Sequence, residues 1–147
     1  MARHFLRSAI ELNPDWEICG EAENGAVALE MVRKFHPDVV ILDLHMPVMG
    51  GLEAAPQIVK IAPNTVLLMF TLYSNQQLSQ IAKAAGINRV FSKSDGSAAI
   101  LASLQDLSVI GRATDTTIPH TFCANDRDID VCRRSWPIPV RGRKSDV

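Results

Sequence analysis

Val39-Val40-Ile41-Leu42 is a run of four apolar residues, three of them β-branched, that ends directly on a carboxylate, Asp43. An uninterrupted apolar run of strand length reads as a strand buried on both faces. Pro47 and the pair Gly50-Gly51 follow within a few residues and prevent its continuation. Strands of this kind belong to parallel sheets covered by helices on both sides. Such sheets gather their chemistry at the carboxyl ends of the strands. A charge so placed is usually paired or functional. Asp43 is therefore the first candidate functional residue.

The rest of the chain supplies the expected company. Residues 2–12 carry Phe5, Leu6, Ala9, Ile10 and Leu12 on one helical side, and Asn13-Pro14-Asp15 ends the helix. Trp16 to Ala22 has strand character around Ile18 and Cys19. Asn24-Gly25 is a turn, and Ala26 to Phe35 repeats at helical spacing through Val27, Ala28, Met31, Val32 and Phe35, stopped by His36-Pro37-Asp38. Gly51 to Ile61 predicts a helix with Leu52, Ala55, Ile58 and Val59 inward, in which Pro56 fits only near the first turn. Thr65 to Thr71 is a second doubly buried strand. Gln76 to Ala85 is a helix with Leu78, Ile81, Ala82 and Ala85 inward, followed by Gly86 as its terminating glycine. Arg89 to Ser92 is a short strand, and Ala98 to Leu107 closes with Ile100, Leu101 and Leu104 packed. Strands alternating with helices of about ten residues predict an α/β fold with a parallel, doubly wound sheet.

Length and charge exclude several classes. The 147 residues suffice for one domain with a core, and a net charge of −1 gives no general attraction for nucleic acid or anionic membranes. No apolar run approaches the roughly 20 residues of a membrane span, and Arg3-His4 is followed by no signal-peptide core. Three irregularly spaced cysteines fit a reducing compartment, so a cytoplasmic location is expected. Residues 108–147 change character: Pro119, Pro137 and Pro139 are interspersed with Asp and Arg and no period is visible. That composition predicts a flexible tail with no output domain.

Asp43, Thr71 and Lys93 end, or directly follow, the three best strands. Alone, Lys93 is an ordinary solvated lysine and Thr71 an ordinary strand-terminal threonine. Brought together on one sheet edge, they make a set suited to phosphoryl chemistry. A carboxylate is a nucleophile for phosphorus, a lysine holds a phosphate oxygen, and a hydroxyl hydrogen-bonds the new group.

On these residues the sequence resembles the receiver domain of two-component response regulators. The matching stretches are Gly20-Glu21-Ala22-Glu23-Asn24-Gly25, Pro37 through Pro47, Gly50-Gly51-Leu52-Glu53-Ala54, Thr71, and Ala85-Gly86 with Lys93. The first and third look most like the NarL/FixJ branch, and the resemblance covers residues 1–107. It implies a flavodoxin-like (CheY-like) three-layer αβα fold and a non-enzymatic signalling module. It further implies Asp43 as phospho-acceptor, Thr71 as switch hydroxyl, Lys93 as phosphate-binding lysine, and Asp43 with the His45 backbone carbonyl as Mg²⁺ ligands. The implied partners are a sensor histidine kinase or phosphotransfer protein, with homodimerisation through the last helices.

The sequence departs from that pattern in two ways. The family's first strand, ending in an adjacent acidic pair that holds Mg²⁺, is absent here, so Mg²⁺ binding is expected to be weak or absent. In the 2-1-3-4-5 strand order the strands around Ile18 and Ile41 then either flank a vacant slot or pair directly. Met1 is accordingly expected to be an internal methionine of a longer frame, or the chain a truncated product. The second departure is the switch aromatic: Val90 stands three residues before Lys93, with Phe91 next to it, and Tyr73 reads as a surface-loop aromatic.

In the tail, His120, Cys123 and Cys132 have spacing unsuited to a zinc knuckle. Arg133, Arg134, Arg141, Arg143 and Lys144 make a basic end that reads as solvated, and no helix-turn-helix period supports DNA binding. The leading expectation is a phosphoacceptor module. The alternatives are a degenerate receiver that binds partners without phosphorylation, and a flavodoxin-like hydrolase, which lacks a second carboxylate as general acid.

Overall fold

The computed structural model describes residues 2–13, 16–113, 122–124 and 131–133. Helix α1 (Ala2–Glu11) leads into strand β1 (Glu17–Glu21), then α2 (Gly25–Phe35), β2 (Val39–Leu42), α3 (Gly51–Ile61), β3 (Val66–Thr71), α4 (Gln76–Ala84), β4 (Arg89–Ser92) and α5 (Ala98–Ala113). Two three-residue strands follow, β5 (Phe122–Ala124) and β6 (Val131–Arg133). The α/β fold with a parallel sheet and flanking helices is the expected one.

β2 is the spine of the sheet. Its four residues are buried without exception, and it pairs in register and parallel with β3, from Val39 opposite Val66 to Leu42 opposite Met69. β3 pairs parallel with β4, ending with Thr71 opposite Ser92. Hydrogen bonds at the opposite edge pin this register. The Thr65 hydroxyl donates to the Pro37 carbonyl at 2.6 Å and the Val66 N–H to the Asp38 carbonyl at 2.7 Å. Asn88 exchanges two bonds with Leu67, its side chain accepting at 2.8 Å and its N–H donating at 2.7 Å. Asn24 and Asn75 cap α2 and α4 by accepting from the N–H groups of Val27 and Leu78. Gly86, at φ +99, is the left-handed residue after α4, where a Cβ would meet Val59 Cγ2.

The slot beside β2 is neither vacant nor closed by direct pairing. The strand order is β4-β3-β2-β5-β1-β6, with β5 parallel to both neighbours: Phe122 pairs with Ile18 of β1 and with Val39 of β2. β6 runs antiparallel to β1, and its Val131 also pairs with Val40. The boundary expected at 107 falls inside α5, which continues to Ala113, and two segments of the expected flexible tail join the sheet. The physical reason is non-local. Buried strands on either side of a gap present unpaired N–H and C=O groups, and even a three-residue strand can satisfy part of them. His120, Arg134, Arg141, Arg143 and Lys144 lie outside the described residues, as do Met1, Pro14 and Asp15.

Three helical stripes are narrower than their periodicity implies. Leu6 and Ile10 anchor α1, but Leu12 is 84% exposed just beyond its end. α3 buries Ala54, Ala55 and Ile58 and leaves Val59 at its margin, while α4 buries Ala82 alone and leaves Ile81 50% exposed. Pro56 is also deeper than the first turn. It is the sixth residue of an eleven-residue helix, where it offers no N–H to the Leu52 carbonyl. Pro56 is exposed, so nothing in the core depends on its ring. Pro56→Ala restores that donor and is expected to raise unfolding free energy by about 1–3 kcal/mol, read by urea denaturation.

Candidate functional site

At the carboxyl edge of the sheet the three predicted residues come to neighbouring strand ends. Asp43 follows β2, Thr71 is the last residue of β3, and Lys93 follows β4 as the first residue of a 3-10 turn ending at Asp95. Asp43 and Lys93, 50 residues apart, form an ion pair with Lys93 Nζ 2.8 Å from Asp43 Oδ2. Asp43 is 6% exposed, so the pair sits in a largely desolvated position where the carboxylate could not stay charged at low cost without it. The other oxygen, Oδ1, accepts from the His45 backbone N–H at 3.4 Å. Thr71 is buried, and its hydroxyl oxygen accepts from the Tyr73 N–H at 3.4 Å.

The backbone around Asp43 is shaped by small residues. The Gly51 N–H donates to the Leu44 carbonyl, and α3 starts so close to β2 that a Cβ on Gly51 would overlap the Asp43 carbonyl oxygen. The Gly25 N–H donates to the Met49 carbonyl at 3.0 Å and fastens the same loop to α2. Between them Val48 sits at φ 67 with 84% of its surface exposed, a strained conformation for a β-branched residue that the flanking bonds enforce.

Two contacts escape the sequence reading. His45 and Tyr73, each two residues beyond a strand-end group, meet edge to face across the mouth, their ring centroids 6.0 Å apart. Tyr73 is 67% exposed, as a surface-loop aromatic should be, yet it has this ring partner. The Lys93 ammonium lies 5.9 Å from the Phe70 ring centroid, an added attraction for the cation. The matched i+2 positions of His45 and Tyr73 are the only sequence signal of their contact. Val90 and Phe91 both pack half-buried against the core.

For Mg²⁺, the donors expected here are the Asp43 carboxylate and the His45 carbonyl. Among the described residues no group of three or more His, Cys, Asp or Glu side chains comes together, and both Asp43 oxygens accept hydrogen bonds. A near-octahedral Mg²⁺ at this edge would draw on that carboxylate and carbonyl, with water oxygens completing its coordination. Glu21 is drawn elsewhere, to an ion pair with Arg7.

The family model for the response regulator receiver domain matches residues 1–105. The chain belongs to that family. The transcriptional regulatory protein YdfI of Bacillus subtilis is 41% identical over 78 residues, 53% of this chain and 36% of that protein. A protein-glutamate methylesterase/protein-glutamine glutaminase of Pyrococcus horikoshii is 46% identical over 70 residues, 48% of this chain and 19% of that protein. The chain thus spans about a third or less of these relatives' lengths. Among solved structures, the NarL receiver domain of Mycobacterium tuberculosis aligns with TM-score 0.66 and 26% identity, covering 71% of this chain and 85% of that one. The receiver domain of Thermotoga maritima CheB aligns with TM-score 0.64 and 26% identity, covering 78% and 90%. No helix among the described residues of this receiver is long and apolar enough to cross a membrane.

Two substitutions test the geometry. Lys93→Met strands the Asp43 carboxylate and is expected to cost on the order of 3 kcal/mol in urea unfolding, a loss largely recovered in the Asp43→Asn/Lys93→Met double variant. Gly51→Ala forces α3 away from β2 and is expected to destabilise by about 1–3 kcal/mol and to shift the amide resonances of Asp43 to His45.

Proposed function

We propose that this receiver, residues 1–107 with α5 continuing beyond, takes a phosphoryl group on Asp43 from a phosphohistidine of a sensor kinase or phosphotransfer protein. The observation that carries the reading is the buried Asp43–Lys93 pair at the sheet edge where β3 ends in Thr71. An Asp43 oxygen attacks phosphorus, the P–N bond breaks, and the electron pair leaves with the imidazole. Lys93 transfers its hydrogen bond from the carboxylate to a phosphoryl oxygen, and the Thr71 hydroxyl donates to another. Thr71 is bonded through its oxygen to the Tyr73 N–H, so its movement draws on the loop that carries Tyr73 and Leu72, both exposed. The output is a shift in population of that surface, read by a protein partner or a second copy through the last helices. In this role the chain is a signalling module acting in the cytoplasm, with no metabolic reaction of its own.

The alternative is a receiver that binds partners without phosphorylation. Intact mass after incubation with acetyl phosphate and Mg²⁺ separates the two. A single phosphate adduct is expected, absent in Asp43→Asn and slower to form in Lys93→Ala. A folded wild-type chain that acquires no adduct overturns phosphoryl transfer and leaves the binding module.

A further inference from the structure

The three cysteines lie at positions 19, 123 and 132, the first more than a hundred residues from the others, and the sheet brings all three to one level. Along β1 and β5, Ile18 pairs with Phe122 and Glu21 with Ala124. Between those anchors β1 has two residues, Cys19 and Gly20, and β5 has one, Cys123. Along β1 and β6, Glu17 pairs with Arg133 and Gly20 with Val131. Between these, β1 has Ile18 and Cys19, and β6 has only Cys132. Cys19 is the residue common to both irregularities, and each of the other cysteines stands across from it.

Neighbouring strands run about 4.8 Å apart. A disulfide spans Cα atoms roughly 4.4–6.8 Å apart. The register therefore puts the Cys19 backbone about one strand spacing from the backbone of both C-terminal cysteines. Cys19 is half-buried rather than sealed, so a small reagent can reach it. A cysteine in a sheet is often only a small apolar residue. That role gives no reason for the chain's three cysteines to share one level.

We propose that Cys19 is an oxidisable site that bridges to Cys123 or Cys132 and fastens the C-terminal segment to β1. The oxidant is a low-molecular-weight disulfide. One protein thiolate attacks it, forming a mixed disulfide and releasing one small thiolate. The second protein thiolate attacks the protein sulfur of that mixed disulfide and releases the other. The two protons of the protein thiols end on the two released thiols. The protein loses two electrons and the oxidant gains them. β5 and β6, with three residues each, are held to β1 by short ladders, and the bridge converts that contact into a covalent one that a reducing compartment reopens.

The test uses the full chain, oxidised with glutathione disulfide, alkylated, and digested with trypsin without reduction. Arg127 lies between Cys123 and Cys132, so their peptides separate. The expected result is an intact mass lower by two hydrogens than the reduced chain, and a linked pair containing the Cys19 peptide. In Cys19→Ser, both remaining thiols should stay alkylatable at the oxidant level that bridges the wild type. In denaturant the preference for Cys19 should disappear. A Cys123–Cys132 link, a disulfide between two chains, three thiols that remain alkylatable, or a Cys19→Ser chain that oxidises equally well each overturns the proposal.

Discussion

Burial of β2 on both faces is the constraint on which the other arrangements rest. Val39 to Leu42 expose essentially nothing, so the strand can only be a central one, hydrogen-bonded on both sides and covered above and below. A strand in that position has no polar outlet except its ends. Asp43 emerges at the carboxyl end, still largely desolvated, and must find a cation. That cation lies 50 residues further on and arrives only because β3 and β4 add to β2 in parallel, in order and in register. The ion pair is thus a product of sheet topology, and its geometry depends on side-chain and main-chain bonds at the far edge, from Thr65, Val66 and Asn88.

Such a pair is a poor choice for stability alone. Two charges brought out of water give up hydration that their mutual attraction only partly returns, and apolar residues of similar volume would serve the fold as well or better. In the proposed phosphoryl transfer its value lies in being exchangeable: Lys93 passes its charge from the carboxylate to a larger anion built on it, and Thr71 brings a hydroxyl whose present bond is a long one to a loop N–H. The same small-residue packing that crowds Asp43, through Gly51 and Gly25, holds a strained Val48 at the rim. The local cost is borne where the loop must keep its path.

Much of this was legible in the sequence because buried strands carry a local signature. Apolar runs ending in a polar residue mark β2 and β3 and point to Asp43 and Thr71, and Lys93 follows by position after β4. Helical stripes were less informative. Periodicity identifies which side of a helix faces inward but not how much of that side is covered, and Leu12, Val59 and Ile81 lie on the right stripe at its uncovered margin. The His45–Tyr73 contact depends on two loops being neighbours in space, which the matched positions two residues past Asp43 and Thr71 only hint at. β5 and β6 were invisible for a stronger reason. Three residues hold too little periodicity to register, and what makes them strands is the unpaired backbone of partners a hundred residues earlier.

Those short strands also alter the meaning of the C-terminal region. β5 runs parallel to both β1 and β2, and a parallel connection needs a long crossover. α5, with its sixteen residues, and the connection after Ala113 provide one between β4 and β5. The strand delivered this way pairs Phe122 with Val39, the first residue of the strand whose end carries Asp43. The C-terminal segment thus joins, at its first residue, the same strand that leads into Asp43.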